Sequence, residues 1–496
     1  GTITTSLNGY IAMLAPEVRN SGLLLAQSGT VAMAAGESIT LNFGPTSKLE
    51  SITVSAAQLD TLVENRAAIK APNGLVILSA RAANQLAASV VNSGTIEAKG
   101  VSQQGGRIIL EGATVASTGT LDVSSDTAQA GTIQINGKNV SISGNVIATT
   151  PAANTQDGSI KVSATQSLNI SNANINVSAS QGGQIQLSAH QIQLTDTTIN
   201  ADGDLQGGTV QISATSIQQD NPFHDPFNIP TLPATLAATG FTSISSRGRR
   251  GQGGNAILTG DSITLDGDTH INVSGAFGGG NALIGGDWQG SNGVYQATTT
   301  YMGQDVTIDV SATDQGDGGK VVLWSDVSNA NGWTKAYGSV YAKGGLNGGN
   351  GGQIETSGHS VDTAGVAINA GADKGAGGLW LIDPYNYAIG SSEAATIVGS
   401  LNNGTSVTID TAYNPTGSPS GASGSVNSVA SVGAAGDIWV TSVIEKTSGG
   451  DATLTLKANR MVVLQANVSS TSGRLNLVLW SDYDHTLDGG VAIGTS

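Results

Sequence analysis

Two groups of carboxylates stand close together in this 496-residue sequence: Asp202 with Asp204, and Asp261 with Asp266 and Asp268. Cleaving a glycosidic bond takes a pair of carboxyls, one to protonate the leaving oxygen and one to attack or activate water. All five of these Asp lie among glycines, where Asp is an ordinary turn former. An active site would instead show carboxylates and a basic residue aligned on successive structural repeats beside a groove, so no catalytic residue is assigned. Five His, at 190, 224, 270, 359 and 485, have no paired spacing. The phrase GGNGGQIET at 348–356 carries Gln353 where a calcium-binding nonapeptide needs Asp. The Gly-rich stretches 248–254 and 344–352 lack the strand, Lys and helix of a phosphate loop and read as turns. No metal ligand and no cofactor is expected.

Three arginines, Arg247, Arg249 and Arg250, form the concentrated positive charge of an acidic chain and follow a segment rich in Pro and Phe. With Phe223, Phe227 and Phe241 they make a candidate partner-binding loop for a glycan, a protein or a protease. The competing reading is a solvated Arg turn with its neighbouring rings packed down. Asn-x-Ser/Thr triplets at Asn139, Asn169, Asn176, Asn272, Asn403 and Asn467 are candidate sugar acceptors, although such triplets also arise by chance in a sequence rich in Asn, Ser and Thr.

The elements that would position these residues follow from composition and period. Glycine supplies 69 residues, cysteine none and aromatics 4 %, too few rings for a wide globular core, while small aliphatics still bring the hydrophobic share to 39 %. With 36 acidic against 20 basic residues the formal charge is −16, which repels nucleic acid. Aligned glycines at 106, 131, 158, 183 and 208 are separated by 25, 27, 25 and 25 residues. A fixed period of this size marks a solenoid. Within each period apolar residues alternate with polar ones: Ile160 and Val162, Leu168 and Ile170, Ile175 and Val177, around Lys161, Asn169 and Asn176. Period-two alternation means strands with one buried face, and three short strands per repeat make a three-sided coil. The expected fold is all-β, a right-handed parallel β-helix with loop insertions, in which Asn and Ser stack as ladders at the turns.

The chain divides into 1–100, with NSGLLLAQSGTVAMAAG at 20–36 echoed by NSGTIEAKG at 92–100; 101–219, the regular repeats; 220–253, the Pro, Phe and Arg insertion; 254–376, coils with Gly-rich excursions; and 377–496, a continuation. A further irregular stretch runs over 414–436. All six Trp fall in the second half, which predicts wider coils or a different lateral surface there. No run of about 18 apolar residues occurs. Residues 1–7 lack the pattern of a signal peptide, so one was removed or precedes them.

Residues 9–43, GYIAMLAPEVRNSGLLLAQSGTVAMAAGESITLNF, resemble the distal part of the secretion domain of filamentous-haemagglutinin-type exoproteins of two-partner secretion systems. Residues 377–390, GGLWLIDPYNYAIG, and 401–411, LNNGTSVTIDT, resemble a second segment of large adhesins of that family. The resemblance implies export through an outer-membrane β-barrel transporter and folding at the cell surface; the family's transporter-recognition motifs would lie before residue 1. The expected function is a secreted or surface-displayed structural adhesin that is not an enzyme, contacting a host or bacterial surface glycan or protein. Two alternatives are a self-assembling extracellular filament, a homopolymer stacked end to end, and a polysaccharide-active enzyme on the same fold.

Overall fold

A computed structural model of the protein describes residues 1–83, 87–100, 105–151, 158–218, 231–411, 436–483 and 489–494. The chain forms two units, Gly1–Thr235 with Phe241–Ser246, and Leu236–Gly240 with Arg247–Ser496. Each is a stack of parallel β-helical coils.

In the first unit every regular coil contributes three strands, as in Arg107–Glu111, Thr114–Ser117 and Thr120–Asp122. The register is the one that the glycine period predicts: Arg107 pairs with Thr132, Thr132 with Ser159, Ser159 with Gln184 and Gln184 with Thr209. Inward positions therefore repeat as Ile108, Ile133, Ile160, Ile185 and Val210, all buried. Each such aliphatic contributes about 1.5–3 kcal/mol by leaving water, and coils about 4.8 Å apart share that burial with their neighbours. The column of glycines that opens the coils is dictated by the same closeness. A Cβ on Gly131 would lie 2.0 Å from the carbonyl oxygen of Gly106, and one on Gly208 would lie 2.2 Å from that of Gly183.

A polar ladder runs inside one corner. The Asn20 side-chain amide donates to Asn65 Oδ1 at 2.8 Å, Asn65 to Asn92 Oδ1 at 2.9 Å and Asn92 to Ser117 Oγ at 3.3 Å. All four are buried, and each amide meets the hydrogen-bonding need of the next. On the first face the ladder strands Thr30–Ala35 and Leu75–Ala80 are buried at every position. An antiparallel hairpin, Ile39–Phe43 with Leu49–Val54, covers their outer side, and Thr30 Oγ1 donates to the Leu49 carbonyl at 2.6 Å. Strands buried on both faces lose the polar alternation of the exposed coils, as TVAMAA and LVILSA do. Ile217–Gln218 pairs antiparallel with Thr231–Leu232 on either side of the Pro- and Phe-rich segment.

The second unit repeats the three-strand coil with longer excursions. Its first face stacks Asn255–Thr259, Asn281–Ile284, Lys320–Trp324, Gln353–Gly358, Leu379–Pro384, Ser406–Asp410, Ala452–Lys457 and Leu475–Trp480 in parallel. In one coil the helix Ser391–Asn402 takes the place of the third strand, packing on Ala367–Asn369 and Ile444–Lys446. Its side chains serve the edge it covers: Thr396 Oγ1 accepts from the Gly365 amide at 3.0 Å and Asn403 donates to the Ile368 carbonyl at 3.3 Å. Glu393 returns to the Gly390 amide at 3.1 Å and closes the helix start.

The tryptophans have separate roles. Trp380 fills the inner core, where its indole N–H donates to Thr356 Oγ1 at 3.1 Å. Trp324 is equally buried but lies on the outer side of its strand, with Leu283, Val322 and Val327, beneath the excursion 285–297 that carries Trp288.

Candidate functional site

Carboxylates aligned on successive coils do occur, at positions other than those that the sequence singled out. Alternation along Gln353–Gly358 puts Ile354 and Thr356 inside and Glu355 and Ser357 outside. Ser357 pairs with Asp383. Asp383 and Asp410 each stand one residue beyond the paired Ile382 and Ile409, and Asp410 pairs with Lys457. The outer side of this face thus carries a row of Glu355, Asp383, Asp410 and Lys457.

The row is enclosed. Glu355 is 0 % and Asp383 1 % exposed. The Gln289 backbone N–H donates to both Glu355 carboxylate oxygens, at 2.9 and 3.2 Å, and Ser357 Oγ donates to Oε1 at 2.8 Å. Burial outweighs these donors and pushes the Glu355 carboxyl up to about 7. Asp383 Oδ2 has no hydrogen-bond partner; burial, then the charges of Asp410 and Glu355, raise its carboxyl well above the ordinary range. Asp410 is compensated by Lys457 at 2.9 Å, whose ammonium also lies over the Tyr483 ring at 3.8 Å.

The excursion is fastened at both ends of its tip. Asp287 pairs with Lys320 at 2.5 Å, accepts from the Trp288 amide at 2.7 Å and from the Asn292 side chain at 2.7 Å. The Trp324 indole N–H donates to Gln296 Oε1 at 3.1 Å. There is no room for a side chain between excursion and ring: a Cβ on Gly286 would sit 2.5 Å from Trp324 Cδ1. Chemically this arrangement can hold and release protons. Its carboxyls are too enclosed to meet a polysaccharide.

The residues weighed from sequence sit elsewhere. Asp202 is buried and accepts from Ser245 Oγ; Asp204 lies in the strand Gly203–Gln206. Asp261 accepts from Tyr295 Oη, and Asp268 lies 2.8 Å from His270 Nε2, while Asp266 is an exposed turn residue. These positions are not brought together in one row. His190 and His359 each lie 3.2 Å from a backbone carbonyl, of Thr215 and Val327 respectively, and among the described residues no three His, Cys, Asp or Glu are grouped as metal ligands.

Phe223, Phe227, His224 and His485 lie outside the described residues, as do 414–435 of the irregular stretch. Phe241 is 74 % exposed. Arg247, Arg249 and Arg250 are exposed on a turn whose backbone is tied to the next coil: Gly248 N–H donates to the Ser274 carbonyl at 3.0 Å and Phe277 N–H to the Gly251 carbonyl at 3.0 Å. Phe277, half exposed, is an aromatic that sequence proximity did not associate with these arginines.

Of the six candidate sugar acceptors, Asn169 and Asn467 are exposed. Asn139 Oδ1 accepts from Ser167 Oγ at 2.8 Å. Asn176 and Asn272 end third strands and accept the backbone N–H of Ser178 and Ser274, at 2.8 and 3.0 Å. The Asn-x-Ser spelling there is that of an Asx turn, which Asn200 and Asp309 also form at equivalent corners. Asn403 is the helix C-cap.

No family model matches the chain, and no curated protein matches it. Among solved structures it is similar to the crystal structure of the HMW1 secretion domain from Haemophilus influenzae, at 17 % identity and a TM-score of 0.45, over 77 % of this chain and 94 % of that one.

Proposed function

We propose that the chain is a structural adhesin, exported by two-partner secretion through an outer-membrane β-barrel transporter and displayed outside the cell, where its lateral faces contact a glycan or protein of a host, matrix or neighbouring cell. The observation that carries the binding part of this reading is the outer surface of the regular coils. On the first face Ser159, Gln184 and Thr209 form one row, Lys161, Gln186 and Gln211 a second, and Ser163, Ser188 and Ser213 a third. On the second face Ser167 stands beside Gln191, Asn169 beside Gln193 and Ser171 beside Thr195. Amides and hydroxyls offer both donors and acceptors, and the coil spacing repeats them about every 4.8 Å. Such a surface suits a repetitive, hydrogen-bonding ligand. The export part rests on the resemblance of residues 9–43, which build the opening coils, the first strand of their covering hairpin and Asn20 of the buried ladder. The enclosure of Glu355 and Asp383 supports a non-catalytic role.

Beads coated with the purified chain test the reading. Attachment to epithelial cells, matrix or bacterial surfaces is expected to be saturable, to be competed by free chain, and to fall at least tenfold when Gln186 and Gln211 are replaced by Glu without loss of fold. Absence of attachment to all three surfaces, or depolymerisation of a glycan by the chain, would overturn it.

A further inference from the structure

The second unit contains a charged row that binding by the first unit's lateral faces does not use. From its placement we infer that the excursion 285–297 is a proton-controlled latch, shut over Glu355 and Trp324 while Glu355 and Asp383 keep their protons and released as they ionise. Three geometric facts support this. The excursion has its own apolar seat, formed by Leu283, Val322, Trp324 and Val327, with Trp288 packed against it. Its tip covers a carboxyl directly, through the two bonds from Gln289 N–H to Glu355. Behind that carboxyl stands Asp383, wholly enclosed, with one oxygen lacking a partner and with Asp410 one coil further on. Ionising Glu355 and Asp383 together would place like charges on adjacent coils away from water, and opening the excursion is the movement that readmits water to Glu355.

The charged and titratable groups facing the row come from each element packed on it. The excursion brings Asp287, paired to Lys320 of the strand Lys320–Trp324. The strands that follow bring Glu355, Asp383, Asp410 and Lys457, with Tyr483 over the Lys457 ammonium. His359 lies at the end of the same coil edge, bonded to the Val327 carbonyl and stacked on Tyr385 at 4.7 Å between ring centres. Asp287 and Asp410 each have a lysine partner; among the described residues Glu355 and Asp383 form no ion pair, and they are the groups whose proton uptake closure favours. The Glu355 carboxyl titrates near 7 when covered and near the ordinary 4.5 when hydrated. One proton linked to closure makes the opening constant rise about tenfold per pH unit between roughly pH 5 and 7, and level off above that. Release uncovers the apolar seat around Trp324.

Hydrogen exchange of peptides spanning 285–297, corrected for the intrinsic pH dependence of exchange, measures the opening constant in the whole chain from pH 5 to 8. A rise of tenfold or more is expected for the natural sequence. In Glu355→Gln the excursion is expected to stay protected with most of that pH dependence gone, which separates Glu355 from His359. Gly286→Val, which forces a side chain against Trp324, is expected to be open at every pH. A flat profile in the natural chain, an unchanged slope in Glu355→Gln, or full protection in Gly286→Val would each overturn the latch. Should Glu355→Gln not fold, the natural profile and Gly286→Val decide it. None of these outcomes depends on whether the chain adheres to a surface.

Discussion

Asp383 shows how a side chain's role depends on the coils above and below it. A carboxyl inside the protein costs little while protonated and several kcal/mol when ionised without a partner. Its folded-state pKa lies above its unfolded value; the neutral form is therefore the one that folding favours, and the stability it permits is complete below about pH 4 and falls as pH rises toward the folded pKa. Asp383→Asn removes the titration and keeps the shape. The variant is expected to match the natural chain at pH 4 and to be the more stable of the two at pH 7, with a higher urea midpoint read by tryptophan fluorescence. Little of this row is legible in the sequence, where the carboxylates that stand as near neighbours are the turn residues among the glycines. Glu355, Asp383 and Asp410 are instead 28 and 27 residues apart, one coil each. The signal was present as an acid at an outward position of an apolar strand in QIETS, LWLID and SVTID. The Asn ladder was easier to anticipate: NSG recurs at 20 and 92, and like residues at a coil period must stack.

Strands, turns and helix differ in how much of them a one-dimensional pattern contains. Alternation over 159–214 predicted three strands per coil and their register, since the period of two fixes the inward face and the recurring glycine fixes the start. Where an outer layer covers the strand the pattern fails for a physical reason. TVAMAA and KVVLW are apolar on both sides because the hairpin 39–54 and the excursion 285–297 lie over them, so a break in alternation within a solenoid marks a covered face. The helix Ser391–Asn402 lies outside the all-β expectation; its twelve residues replace one third strand and are held by local packing. Glycine has opposite meanings in the two settings. Gly131→Ala must push its Cβ into the Gly106 carbonyl of the coil below, whereas a Cβ on Gly399, exposed on the helix, meets nothing within 4 Å. Gly131→Ala is expected to destabilise the first unit by about 2 kcal/mol, within the usual range for a steric core change, and Gly399→Ala to stabilise the second by roughly 0.5–1 kcal/mol through helix propensity. Thermal denaturation followed by circular dichroism checks the pair, and a shared sign would contradict the assignment of the two glycines.

On the scale of the whole molecule, the two units differ in chemistry although they share a coil. All six Trp fall within Arg247–Ser496, so tryptophan emission reports the second unit while circular dichroism sums both. The carboxyls held in unusual states are divided as well. In the first unit Glu64 is kept below the ordinary range, chiefly by its hydrogen bond from Arg66, so its contribution is present above about pH 4.5 and constant from pH 5 to 8. The second unit has Asp287 and Asp451 lowered, which are constant over that window for the same reason, and Glu355 and Asp383 raised, which are not. Stability linked to Glu355 is full below about 4.5 and declines until about pH 7, and Asp383 declines in the same direction. The melting temperature read by tryptophan emission is therefore expected to fall by several degrees between pH 5 and 8, while circular dichroism retains a component that does not move. A shift of equal size in both signals would mean that the units unfold as one. A rise of the tryptophan transition with pH would mean that Glu355 and Asp383 are ionised in the folded chain at pH 5, contrary to their enclosure.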